Sequence, residues 1–212
     1  MGVAERRERE RHARKVAVLD AARSVLLEKG YRNTTTREIA SRCELSEATL
    51  FFYFTNKDEI VLSLLYESIE FWANGLKKLA ASRLAPEKRL DQIWQLHEKV
   101  QEEHPEYYVI SAYLAQSNAL QGVSSEIREE IATLSGRNFS RLSHLLEEIT
   151  GLEDGRHLAD TLWATFLGLM VLKQSRNNLN HEEVRSGVQD RAASLSILKR
   201  GLLSAIETGK RS

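Results

Sequence analysis

The sequence predicts an all-α protein. Three observations carry that expectation. Proline occurs only at Pro86 and Pro105, glycine is scarce, and Leu, Ala, Glu and Arg recur at helical spacing through almost everything between. The expected architecture is an N-terminal three-helix unit of helix-turn-helix type, residues 1–56, followed by a C-terminal helical bundle of about six helices, residues 57–212.

The elements can be justified in order. Leu19, Ala22 and Leu26 share one face at i, i+3 and i+7, and Lys29-Gly30 supplies a glycine that can take the left-handed conformation past a helix end, so a first helix is expected over about residues 11 to 29. Ahead of it "ERRERERHARK", residues 5–15, sets Arg6, Arg7, Arg9, Arg11, Arg14 and Lys15 against Glu5, Glu8 and Glu10. That segment reads equally as a basic arm or as a helical extension laced by i,i+4 pairs such as Glu5 with Arg9 and Glu10 with Arg14. Thr35-Thr36-Arg37-Glu38 fits a capping box and starts a short second helix ending by Arg42. Cys43-Glu44-Leu45-Ser46 is the turn, and a third helix is expected over about Glu47 to Tyr53. Thr55 or Asn56 caps a fourth helix, with Asp58 and Glu59 favourable in its first turn. Leu26, Ile39, Ala40, Leu45, Leu50 and Phe54 are the expected core of this unit.

Ile60, Leu64, Leu65, Ile69, Trp72, Leu76 and Leu79 hold helical rhythm from Asp58 to about Ser82, which makes the fourth helix long enough to couple two parts of the chain. Pro86 opens a fifth helix ending near His104, Pro105 a sixth carrying Tyr107, Tyr108 and Tyr113, and Ser124 or Ser125 a seventh ending at Thr150-Gly151. Two further helices are expected over about residues 156 to 177 and 182 to 208.

At 212 residues, 42% apolar and 28% charged, the chain is of globular composition and large enough to bury a core. Formal net charge is zero, so any attraction to a polyanion must come from a local patch. The single cysteine, Cys43, excludes an internal disulfide and a cysteine-based metal cluster. No apolar run approaches the roughly 18 residues of a membrane span, and the first residues are charged rather than an apolar signal core, so a cytoplasmic protein without a membrane partner is expected. There is no HExxH, no GxSxG and no glycine-rich phosphate loop, and His12, His97, His104, His144, His157 and His181 form no i,i+3 or i,i+4 pair. Neither catalysis, a metal nor a cofactor is expected.

The order EKGY, TTTREIA, a short turn, SEATL, the aromatics of FFYF and then NKDEI, within about residues 15 to 65, resembles the N-terminal DNA-binding domain of the tetracycline-repressor (TetR) family. The resemblance implies a homodimeric, all-helical transcription regulator, usually a repressor, bound to a palindromic operator and released by a small molecule in its C-terminal domain. Residues 1–56 would then bind DNA, and residues 57–212 would bind ligand and dimerise. Three positions depart from the family pattern. Glu44 stands where the turn usually has glycine, Phe51 where a tyrosine commonly reaches phosphate, and Ala48 where glycine is common.

A reading helix enters the major groove only if its domain is pinned to phosphates on both sides, and hydroxyls and cations near helix N-termini do this. Thr35, Thr36, Arg37, Tyr53 and Lys57 are the expected backbone contacts. Ser46, Glu47, Ala48, Thr49 and Phe52 are the expected base contacts, with Glu47 accepting from cytosine N4 and Ala48, the Thr49 methyl or Phe52 touching thymine methyls. The plainer reading makes Glu47, Tyr53 and Lys57 ordinary surface residues. The basic segment, if an arm, would lie in the minor groove.

For an apolar or amphipathic ligand the sequence offers Trp72, Trp94, Tyr113, Phe139, Trp163 and Phe166, with His97, Asn118 and His144 to orient a polar end; any single aromatic at helical spacing is more often core than pocket. A two-fold operator needs two reading helices roughly 34–36 Å apart, hence a self-complementary face. Leu158, Leu162, Phe166 and Leu169, with Leu195, Leu198 and Leu202, are the expected dimer residues, or else intrachain core. Set against the regulator is an all-helical small-molecule-binding or interaction protein without DNA binding, favoured by zero net charge, Phe51 and Glu44.

Overall fold

Helices make up every regular element of the structure, a computed structural model that describes residues 2–116, 123–179, 196–201 and 204. In chain order they are α1 (Val3–Asn33), α2 (Thr36–Arg42), α3 (Glu47–Leu50), α4 (Lys57–Ala80), α5 (Pro86–Glu103), α6 (Glu106–Leu114), α7 (Ser125–Thr150) and α8 (Gly155–Leu179). Residues 196–201 are also helical, and most of the helix expected over 182–208 lies outside the described residues. No strand occurs among the described residues, and none of their helices is long and apolar enough to cross a membrane. The chain forms two compact units, Met1–Glu70 with Gln101–Ala132 and Phe71–Val100 with Thr133–Ser212.

In the first unit α1 begins at Val3, eight residues before the expected start. The Gly2 amide donates to the Glu5 carboxylate at 3.0 Å, and Arg6 pairs with Glu10 at 3.6 Å. The basic segment is therefore the helical extension and not an arm. Regular helix ends at Gly30, whose φ of 72° and ψ of 169° belong to a region essentially reserved for glycine. Val18, Ala22, Val25 and Leu26 of α1 are buried with Ile39, Ala40, Leu50 and Phe54, while Leu45 is half-buried. Isolated helices as short as α2 and α3 are unstable in water. Burial of Leu26, Ile39 and Leu50, at about 1.5–3 kcal/mol each, is what holds them.

An ionic cluster ties α1, α4 and α6 within this unit. Arg23 donates to Glu106 at 3.0 Å, Glu67 at 2.7 Å and Asp20 at 2.7 Å. Glu106 is fully buried in the first turn of α6 and also meets His104 Nδ1 at 3.2 Å. Burial works against the Arg23 cation, but Glu106, Glu67 and Asp20 together outweigh it and raise its pKa. Burial pushes the Glu67 carboxyl up.

All seven apolar positions expected along α4 are buried, from Ile60 to Leu79. In the second unit Trp72, Leu76 and Leu79 form a core with Leu90, Ile93, Trp94 and His97 of α5, Leu142, Leu145, Leu146 and Ile149 of α7, and Ala159, Leu162 and Phe166 of α8. Gly151 closes α7 as expected: at φ 71° its amide reaches back to the Glu147 carbonyl at 2.8 Å.

Candidate nucleic-acid interface

The local chemistry of α2, the turn and α3 follows from hydroxyls at helix starts. Thr35 Oγ1 accepts the Glu38 amide at 3.2 Å, and Ser46 Oγ accepts the Thr49 amide at 3.0 Å. Between them the Leu45 amide reaches the Ala40 carbonyl at 2.9 Å. The turn needs one residue in the left-handed region, and Glu44 supplies it at φ 56°, a conformation costing a non-glycine residue about 1 kcal/mol. Cys43 lies at the C-terminal cap of α2, where burial raises its thiol pKa against the pull of backbone amides and the Arg14 charge.

The third helix is shorter than expected. Regular α geometry stops at Leu50, after which the Phe52 amide bonds Thr49 and the Tyr53 amide bonds Leu50, both i to i−3. This tighter winding accompanies the burial of Phe54, 4% exposed, and leaves Phe52 80% exposed.

Of the expected base readers, Ser46, Glu47, Ala48 and Phe52 are exposed and Thr49 is half-buried. Ser46 Oγ and Thr49 Oγ1 bond each other at 2.7 Å, so Ser46 serves first as a helix cap. Among the expected phosphate contacts, Thr35 and Arg37 are exposed, and Arg37 has no partner among the described residues. Tyr53 is half-buried. Two residues sit otherwise than the sequence suggested. The Thr36 hydroxyl donates to the Glu47 carboxylate, so neither reaches DNA without releasing the other. Lys57 folds inward: its Nζ donates to the Tyr31 carbonyl at 3.1 Å and lies 4.1 Å from that ring's centroid. Burial lowers the Lys57 pKa. The Tyr31 hydroxyl donates to Asp58, and burial followed by that bond raises its pKa.

Ion pairs brace the unit from the other side. Arg42 grips Glu28 with two bonds of 2.5 and 2.8 Å, which pulls the Glu28 carboxyl below its usual pKa. The surface carried by α3 thus combines an acceptor, hydroxyls and an exposed ring, and α2 adds the exposed Arg37 cation, the set of groups that base edges and phosphates require.

Residues 18–64 match the sequence profile of bacterial regulatory proteins, tetR family. Over 48 residues the chain is 54% identical to the uncharacterised HTH-type transcriptional regulator YvkB of Bacillus subtilis. That segment is a domain of the TetR-family type. That family is one of regulators and not of enzymes. The match to YvkB covers 23% of this chain and a quarter (25%) of that relative. The fatty acid metabolism regulator protein of B. subtilis is 24% identical over 139 residues, 65% of this chain and 68% of its own. The structure of the regulator FadR from B. subtilis in complex with stearoyl-CoA shares the fold with a TM-score of 0.64 at 19% identity, covering 90% of this chain and 98% of that one.

The second unit of the chain gathers six of the nine residues offered for a ligand. The His97 and Phe166 rings stack with centroids 3.7 Å apart, and Trp94 stands edge-on to Phe166 at 5.0 Å. Trp163 meets Trp72 at 6.4 Å and Phe139 at 6.1 Å, both edge-on. The cleft among Leu90, Ile93, Trp94, Leu162, Phe166 and Leu198 leaves about 10 Å³, room for about one water. Tyr113 does not join the group, because it stacks on Tyr31 in the first unit at 3.6 Å. His144 is exposed and paired with Glu147 at 3.2 Å rather than directed inward. Asn118 lies outside the described residues.

The dimer expectation needs correction too. Leu162 and Phe166 are 4% and 1% exposed within a single chain, so they are intrachain core. Leu158, Leu169 and Leu198 are half-buried, and Leu195 and Leu202 lie outside the described residues. Exposed apolar surface instead sits at Val171 (53%), Leu172 (48%) and Ile197 (64%). The run Leu169-Met170-Val171-Leu172 could have signalled this, being apolar all round the helix where one face would have sufficed for a core. One further group escaped the sequence reading: the buried indole N–H of Trp72, which has no acceptor among the described residues.

Proposed function

We propose that the chain is a cytoplasmic homodimeric repressor whose two α3 segments read a palindromic operator in successive major grooves, and whose second unit binds an apolar or amphipathic ligand that releases the DNA. The observation that carries this reading is the exposed surface of Ser46, Glu47, Ala48 and Phe52 mounted on a fully packed helix-turn-helix core. Residues 1–56 bind DNA, and residues 57–212 bind ligand and dimerise through the exposed face around Val171, Leu172 and Ile197. An acyl thioester is the ligand class best supported, from the likeness to a FadR that holds stearoyl-CoA and from a core of stacked rings able to line an acyl chain. The Trp72 N–H, without an acceptor among the described residues, is suited to a ligand carbonyl. The cleft beside Phe166 is too small for an acyl chain as it stands, so a ligand entering there displaces that ring. The ligand-bound form then differs from the one described, which is what a ligand-driven switch requires. Helix α4 is continuous from Lys57 to Ala80 and contributes to both units, which supports it as the coupling element.

The test begins by selecting bound duplexes from random DNA, then titrating the selected operator complex with saturated acyl-CoA of graded chain length. Release at one range of lengths is expected; retention of the complex with every acyl length rejects the ligand assignment. Sedimentation at micromolar protein is expected to show a dimer, and Val171→Glu with Leu172→Glu a monomer. At the interface, Arg37→Gln is expected to weaken all sites alike and lower the salt slope by about 1. Thr49→Ala is expected to change preference at one base pair by about 1–3 kcal/mol. Equal losses across all sites in both variants would remove Thr49 from the reading surface.

A further inference from the structure

The first four turns of α1 have no core to cover. Residues 3–14 are all exposed, and Val18 is the first buried residue of the helix. Yet the charges there are sorted. Arg7, Arg11 and Arg14 recur at i, i+4 and i+7, and Val18 follows at i+11, so the arginines continue the face that buries Val18, Ala22 and Val25 against the helix-turn-helix core. Glu5, Glu8 and Glu10 fall off that line. Arg7, Arg11 and Arg14 have no carboxylate partner among the described residues. At the inner end the stripe joins the reading unit: Lys15 Nζ lies 5.6 Å from the Phe54 ring centroid, and the Arg14 charge is felt by Cys43 in the turn. At the outer end Arg7 stands about 12 Å ahead of Lys15 along the axis, at about 1.5 Å per residue.

We infer that the N-terminal extension of α1 is a rigid second phosphate clamp, holding the sugar-phosphate backbone of DNA flanking the bases that α3 reads. The inference rests on the proposed DNA binding and adds the partner of a surface that binding through α3 leaves unused. Charge complementarity selects the occupant. The chain has zero net charge, yet Arg7, Arg11 and Arg14 set three cations without a carboxylate partner among the described residues on one face of α1, and that face runs into the reading unit. Shape selects the contact. A helix of about 10–12 Å diameter cannot enter a minor groove about 6 Å wide, so the stripe meets phosphates and does not read minor-groove edges as a flexible arm would.

The test compares wild type with Arg7→Gln/Arg11→Gln on two selected duplexes, one trimmed to the bases α3 requires and one extended by about five base pairs at each end, some 17 Å at 3.4 Å per step. On the extended duplex the double variant is expected to lose about 2 units of slope in log K against log salt, since each neutralised phosphate contributes about 0.9. On the trimmed duplex the two proteins should bind alike, and site preference should not change. Arg7→Lys/Arg11→Lys should keep the wild-type slope, and far-UV CD should be the same for all three proteins. An unchanged slope for the glutamine variant on the extended duplex overturns the clamp while leaving DNA binding intact. Failure of the wild type to bind any duplex overturns the proposed function and the clamp with it.

Discussion

Arg23→Ala will lower stability by about 3–5 kcal/mol, the usual consequence of removing one member of a buried ion pair. The size comes from what remains behind. Glu106 is fully buried, its Oε2 has no hydrogen-bond partner among the described residues, and Arg23 Nε at 3.0 Å is the cation facing its other oxygen. His104 Nδ1 at 3.2 Å offers a single ring nitrogen where the guanidinium offers a fixed fork of charged donors. The same variant frees Glu67, whose carboxyl is already pushed up by burial. Urea unfolding followed by CD measures the loss. A double variant, Arg23→Met with Glu106→Leu, is expected to recover most of it, because replacing both charges by apolar groups of similar volume removes the uncompensated charge. The difference between the single and double variants separates a pair that matters from a guanidinium that merely packs. A loss under about 1 kcal/mol in Arg23→Ala would show that Glu106 reaches water, as exposed pairs of that worth do.

That pair was not legible in the sequence, and the reason is physical. Arg23 and Glu106 are 83 residues apart, and nothing in local periodicity reports which charged residue of a helix will face a distant neighbour. The α4 pattern was legible from end to end because burial of one helix face imposes a period that survives in the sequence, and all seven of its apolar positions are buried. Caps were legible for a related reason: Thr35 and Gly151 satisfy backbone groups within a few residues of themselves. Glu44 shows the same logic under strain, since the turn takes φ 56° even without glycine. The candidate interface was read less completely. Which residues are exposed on α3 followed from its phase, but the Thr36 bond to Glu47 and the inward fold of Lys57 depend on side-chain rotamers that sequence does not specify. Two of the expected dimer residues are intrachain core instead, because periodicity cannot distinguish a face covered by the same chain from one covered by another. Leu162 and Phe166 belong to the first kind.

Phe166→Ala will cost about 3–5 kcal/mol, the range for truncating a buried ring to a methyl. Phe166 is 1% exposed and meets His97 face to face at 3.7 Å and Trp94 edge-on at 5.0 Å, so its loss removes both ring contacts as well as its transfer free energy. The surrounding cleft holds only about 10 Å³, so the space opened is nearly all new, and neighbours as stiff as Trp94 and Ile93 will close it only in part. An apolar cavity of this kind stays dry and accepts small apolar molecules. Benzene is therefore expected to raise the melting temperature of Phe166→Ala and to leave that of the wild type unchanged, the increment growing with ligand concentration as binding to the folded state alone requires. Phe166→Leu, which keeps most of the volume, should lose less and show no such response. If the alanine variant were destabilised by the full amount yet indifferent to every apolar additive, the core would have collapsed onto the gap, and Phe166 would serve as packing without marking where a ligand enters.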